Sequence, residues 1–148
     1  MKLFTLDEAQ ALVPVLESLL KRCIDARHAA EVINEELQRL SQRIFMSGGM
    51  HVDIAKVGRQ RTELDAHVER AKDAVEEIDA IGVQVKDLDV GLLDFPCQVD
   101  GEVVLLCWKM GENKITHWHT VESGFSGRQP LDDRFDGRSK RAKKEKPN

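Results

Sequence analysis

No stretch of this 148-residue chain approaches the ~20 consecutive apolar residues that a membrane-spanning helix requires, so no membrane segment is expected. Its opening, MKLFTLDEAQ, lacks the charged leader, apolar stretch and small-residue cleavage site of a secretory signal, and cytoplasmic residence is the expectation. Cysteine is scarce. Cys23, Cys97 and Cys107 show no close metal-type pairing, which excludes a disulfide framework and makes reduced thiols the default. There is no repeat beyond the heptads described below and no low-complexity segment before the tail. Nothing rises to a catalytic signature.

What the chain does have is apolar rhythm. Ala9, Leu12, Leu16, Leu19, Cys23, Ala26, Ala30, Ile33, Leu37, Leu40 and Ile44 are spaced by alternating steps of three and four, the seam of a heptad helix. Ile54, Val57, Leu64, Val68, Ala71, Val75 and Ile78 repeat that rhythm, with a polar interruption at Arg61. Thr5 and Glu8 form a capping-box pair, so the first helix is expected from there to about Phe45, with a bend near Pro14. Ser47-Gly48-Gly49 ends it and reverses the chain. A second helix then returns antiparallel from His51 or Val52 to Ile81, where Gly82 stops it. Val13, Val15, Leu20 and Ile24 widen the apolar surface of the first half, which calls for a cover there. The far half makes a thin two-helix arm, and pairing with another copy is expected.

From Val83 the pattern becomes short β-type runs. Val103–Trp108 suits a strand covered on both faces, Ile115–Val121 a second, and Gly91–Phe95 a third closed by Pro96. The fold expected is α+β: residues 1–82 a long antiparallel, coiled-coil-like helical hairpin, 83–131 a small antiparallel β-rich module packed on it, and 132–148 a disordered basic tail. From Asp132 onward seven basic residues face four acidic ones, a balance of +3 that leaves −7 on the body of a chain whose total is −4. Nucleic-acid contact is expected only through that tail, if anywhere, and a solubilising role is the more economical reading.

The residues that could carry chemistry fall between Lys86 and Leu131. His117 and His119 are two apart on a strand and so share a face, which is how strand-borne imidazoles converge on a metal. Asp94, Glu112, Glu122 or Cys107 could supply a third ligand. Depending on the hairpin loop, the residue opposite His117 is Trp108, Cys107 or Leu106. Asp94 is flanked by Leu93 and Phe95, and a carboxylate pointing inward there needs Arg128 or a backbone amide. Gly124 to Pro130 has the materials of an anion-binding loop without the spacing of a nucleotide phosphate loop. The alternative is a tight loop plugged by Phe125 and tied down by Arg128 through Asp94 or Glu122. Asp87 and Asp89 lack calcium-loop spacing and read as turn formers. Cys107 lies in an apolar run and reads as an inert thiol, Trp108 and Trp118 as core, and His28 and His67 as solvated helix positions.

The strings LFTLDEA, KDLDVGLLDFP, VVLLCWKMGE, ITHWH and GFSGRQPL resemble a family of short bacterial proteins known as a domain of unknown function, over residues 1 to 131. The resemblance implies a bacterial cytoplasmic protein with a helical hairpin and a β-rich C-terminal module, and it transfers no activity or ligand. The function expected is therefore a non-enzymatic interaction or scaffolding module, homodimeric through its helices, with no cofactor. The alternative is a small metal-dependent enzyme or ligand sensor. In it His117, His119 and Glu112 or Asp94 bind a divalent transition metal, and Arg128, with Asp94, serves an anionic ligand.

Overall fold

The protein is described from a computed structural model over residues 1–135. Helix α1 (Leu6–Met46) opens on the capping box: the Thr5 amide donates to Glu8 Oε1 at 3.0 Å and the Glu8 amide to Thr5 Oγ1 at 3.1 Å. Asp7 and Glu8 add negative charge where the helix dipole favours it. The helix continues unbroken through Pro14. It ends in a Schellman motif, with the Gly49 amide bonded to the Ile44 carbonyl at 3.0 Å and the Gly48 amide to Phe45 at 3.4 Å. Gly48 is left-handed there, at φ 71°.

Helix α2 (Ile54–Ile81) starts at the first residue of its apolar pattern and not at the expected His51 or Val52, because the cap is Asp53, whose carboxylate accepts the Lys56 amide at 3.0 Å. Its inward stripe also differs from the expected seam. Gln60 and His67 are half-buried, whereas Arg61, Val68 and Ile54 are exposed. The structure thus corrects the reading of His67 as solvated. Val15 of α1 is likewise exposed rather than part of a buried second stripe.

Five strands follow in the order β1-β2-β3-β4-β5, every neighbouring pair antiparallel: β1 (Gln84–Asp87), β2 (Leu92–Val99), β3 (Glu102–Lys109), β4 (His117–Thr120) and β5 (Gln129–Pro130). Three strands were expected. The edge strands β1 and β5 are short and polar, which is why no apolar run announces them. Asp100 and Gly101, at φ 52° and 80°, form the two-residue turn between β2 and β3, matching the right-handed twist of the pair.

Pro96 does not close β2 but sits inside it, opposite Leu105. In a strand the N and C=O of one residue point to the same side. The Pro96 carbonyl accepts the Phe4 amide at 2.7 Å, on the side away from β3, beyond the end of β1. The missing N–H therefore costs the ladder nothing.

Two compact units emerge among the described residues: Met1–Leu19 with residues 77–135, and Leu20–Glu76. In the first, Phe4 meets Phe95 edge-on at 5.7 Å between ring centroids, and Leu93, Phe95, Leu106 and Trp108 are fully buried. The Gln10 side chain acts as a surrogate strand, donating to the Ile115 carbonyl at 3.0 Å and accepting its amide at 2.9 Å. This unit extends past the expected boundary at Leu131. Asp133–Phe135 form a 3₁₀ turn, and Phe135 is buried against Trp118 at 5.6 Å. The rest of the expected disordered tail, 136–148, lies outside the described residues. In the second unit, Cys23, Ala26, Ala30, Ala71 and Ala74 are buried, while Ile33, Leu37, Leu40, Ile44, Val57 and Leu64 are only half-buried. Gln60 donates to Glu36 at 3.1 Å across the antiparallel pair. No helix among the described residues is long and apolar enough to cross a membrane.

Candidate functional site

Register decides which side chains can meet. Asp94 of β2 stands opposite Cys107 of β3, and Cys107 stands opposite His117 of β4; His119 is two residues further along, opposite Leu105. Alternation places Asp94, Cys107, His117 and His119 on one face of the sheet. On that face the carboxylate, thiol and imidazole of Asp94, Cys107 and His119 gather with donor atoms all within 4.8 Å of one another. Their exposures are 1%, 0% and 2%.

The hydrogen bonds of His119 fix its protonation pattern. Nδ1 lies 2.8 Å from the Thr120 carbonyl, which can only accept, so Nδ1 carries the hydrogen. Nε2 is therefore the nitrogen presented to Asp94 Oδ1, at 3.0 Å. One proton bridges that contact. The Cys107 thiol faces the same carboxylate, its sulfur within 4.8 Å of it.

Burial pushes the Asp94 carboxyl above its usual range. The hydrogen bond and charge of His119, the charge of Lys86 and the Cys107 thiol pull it only part of the way back. The Cys107 thiol is pushed up to about 12, chiefly by burial and then by the charge of Asp94. A thiol so held is no nucleophile at neutral pH. His119 is moreover bonded to Asp94 through Nε2 and to backbone through Nδ1, so it is not arranged as the base of a Cys-His pair.

The other expected site residues go elsewhere. Glu112 and Arg128 bind each other, Nη2 to Oε2 at 3.0 Å, and Glu112 Oε1 also accepts the Lys109 amide at 2.7 Å. Arg128 thus ties its loop to Glu112 rather than to Asp94 or Glu122, and stacks over Phe125 at 4.8 Å. Phe125 does not plug the core; it is 41% exposed. His117 is half-buried, with Nδ1 2.8 Å from Thr116 Oγ1. Asp87 Oδ1 accepts the amides of Asp89 and Val90, a turn and not a cation loop. Trp108 Nε1 donates to the Glu112 carbonyl at 3.0 Å, while Trp118 Nε1 and Arg128 Nε are buried without a partner among the described residues.

Cys107 entered the sequence reading both as a third ligand and as an inert thiol, and only the strand register shows that it faces Asp94. Gln10 was not anticipated at all. Nothing in a glutamine near the start of a helix marks it as the partner of a residue 105 positions away. No curated protein and no solved structure shows significant similarity to this chain. Residues 2–131, which span both helices and the sheet that assembles the buried cluster, match the uncharacterized conserved protein family DUF2203, and the chain belongs to that family.

Proposed function

We propose that the protein is an assembly module that pairs with a second copy of itself through the 20–76 helical hairpin. The observation that carries this reading is the incomplete burial of that hairpin. Past Ala30 no large seam residue of α1 is fully covered, while Val32 and Val68 are 43% and 51% exposed and Phe45, Met46 and Ile54 more than 80%. A lone two-helix arm has one layer of core, and each large apolar side chain that a partner buries contributes ~1.5–3 kcal/mol. His67 Nδ1 is buried in this unit without a hydrogen-bond partner among the described residues, a polar group for which a second chain can supply a mate.

Catalysis on the C-terminal module is the weaker reading, since the three clustered donors are buried and Arg128 is already engaged by Glu112. Sedimentation equilibrium tests the assembly. A dimer at micromolar concentration that Val68→Glu converts to a folded monomer supports it. A wild-type monomer throughout that range overturns it.

A further inference from the structure

The buried cluster on the sheet has an unusual composition for a hydrogen-bonded core network: one carboxyl, one thiol and one imidazole, contributed by three adjacent strands. We propose that Asp94, Cys107 and His119 form a metal site for one borderline-soft divalent cation, zinc above all, taken up in exchange for two protons. The proposal is independent of the assembly reading.

Four observations support it. The first is donor chemistry, because a mixed O, S and N set suits zinc over magnesium or calcium, which take oxygen shells. The second is distance. A cation at ~2.0–2.3 Å from each donor in a tetrahedral arrangement holds the donors about 3.3–3.8 Å apart. The donors lie within 4.8 Å already, so side-chain adjustment on the order of an ångström closes the set. The third is orientation: Nδ1–H of His119 is anchored on the Thr120 carbonyl at 2.8 Å, the outer-shell contact that fixes a ligating imidazole with Nε2 toward the ion. The fourth tetrahedral position falls to water or to His117, directly opposite Cys107 on the same face.

The last observation is charge. A site this buried tolerates no net charge. Without a cation it holds two mobile protons, the Cys107 S–H and the one bridging Asp94 Oδ1 and His119 Nε2, and is neutral overall. Replacing both by one divalent ion leaves a carboxylate, a thiolate, a neutral imidazole and a +2 charge, again neutral. Both protons go to solvent, no redox change occurs, and three metal–ligand bonds replace the Asp94–His119 hydrogen bond and the Cys107 S–H bond.

Because the site is closed, the test loads it during folding. The full chain is unfolded with chelator present, desalted, and refolded with one equivalent of Zn²⁺ or Co²⁺ under reducing conditions. The expected result is one ion retained per chain, a thiolate-to-cobalt charge-transfer band, and a raised melting temperature. Apparent affinity is expected to rise about 100-fold per pH unit while both protons remain to be displaced. Cys107→Ser abolishes the charge-transfer band and weakens zinc binding at least 10²-fold, while Cys23→Ala and Cys97→Ala keep both. Wild-type protein that refolds to its native circular dichroism with substoichiometric metal and no thiolate band overturns the proposal. So does full metal retention and an unchanged band in Cys107→Ser.

Discussion

Asp94 is the residue at which charge and hydrogen bonding can be separated, because two substitutions of similar size have opposite consequences there. Asn at position 94 keeps the shape. Its amide N–H can donate to His119 Nε2, which accepts whenever Nδ1 holds the hydrogen, and its oxygen can receive the Cys107 S–H. Every partner in the metal-free cluster stays satisfied. Asp94→Ala removes both contacts, stranding His119 Nε2 and the thiol in a site that is 1% exposed, and leaves a small void. Breaking a buried polar pair by deleting one member costs about 3–5 kcal/mol, whereas the Asn variant is expected within ~1 kcal/mol of wild type at neutral pH. The pH dependence adds a second, sharper readout. Since the carboxyl is raised in the folded protein, the native state binds more protons than the unfolded chain above the ordinary Asp range. Stability relative to Asp94→Asn must therefore fall as pH rises from about 4 to the raised value and then level off. That is the reverse of a carboxylate whose pKa is lowered by an ion pair. Urea unfolding of the three proteins in chelator between pH 4 and 8 measures both effects. An Asn variant as unstable as the Ala variant, or a wild-type minus Asn difference that grows with pH, refutes the account.

Gln10→Ala leaves the amide and carbonyl of Ile115, a residue 1% exposed, without partners, and a loss of about 2–4 kcal/mol in chemical denaturation is expected. Gly91 is left-handed at φ 72°, and a Cβ there would lie 2.6 Å from Met110 Cβ, so Gly91→Ala is expected to cost more than ~1 kcal/mol and to speed amide exchange at Met110, which donates to the Gly91 carbonyl. A chain ending at Leu131 is expected to be about 1.5–3 kcal/mol less stable than one ending at Phe135, because only the longer one covers Trp118; equal melting curves contradict that.

The helices were legible because their signals are local and periodic. A capping box at Thr5 and Glu8 needs only a spacing of three, and the Ser47-Gly48-Gly49 stop needs only residues that tolerate left-handed backbone. The sheet was legible where it was apolar. Strands β1 and β5 escaped because they are short edge strands whose side chains are mostly polar or exposed, and a two-residue strand has no period to detect. Pro96 was misplaced for a different reason. Whether a proline ends a strand depends on which side its nitrogen faces, and that is fixed by where β1 stops. The cluster at Asp94 was half visible, since Asp94 and Cys107 were both offered as a third ligand beside His119, but their meeting is a property of register. A hairpin loop one residue longer or shorter brings Leu106 or Trp108, not Cys107, opposite His117.

The seam of α2 was misread for a reason that bears on assembly. Positions 57, 64, 71 and 78 belong to two heptad frames at once; one completes them with 61, 68 and 75, the other with 60, 67 and 74. Apolar content favours the first, through Val68 and Val75, and the chain packs mainly in the second, with Gln60, His67 and Ala74 turned inward and Val75 half-buried beside them. Alanine at 74 lets the helices approach closely, and Gln60 finds Glu36, so the second frame is not without compensation. It nevertheless turns the larger apolar residues Ile54 and Val68 outward and leaves His67 Nδ1 unpartnered among the described residues. A helix selected only to pack within its own hairpin gains by exchanging these, placing the aliphatic groups inside and the polar ones in water. Keeping them where they are is the arrangement expected when the outer stripe is itself an inner one, facing a second chain.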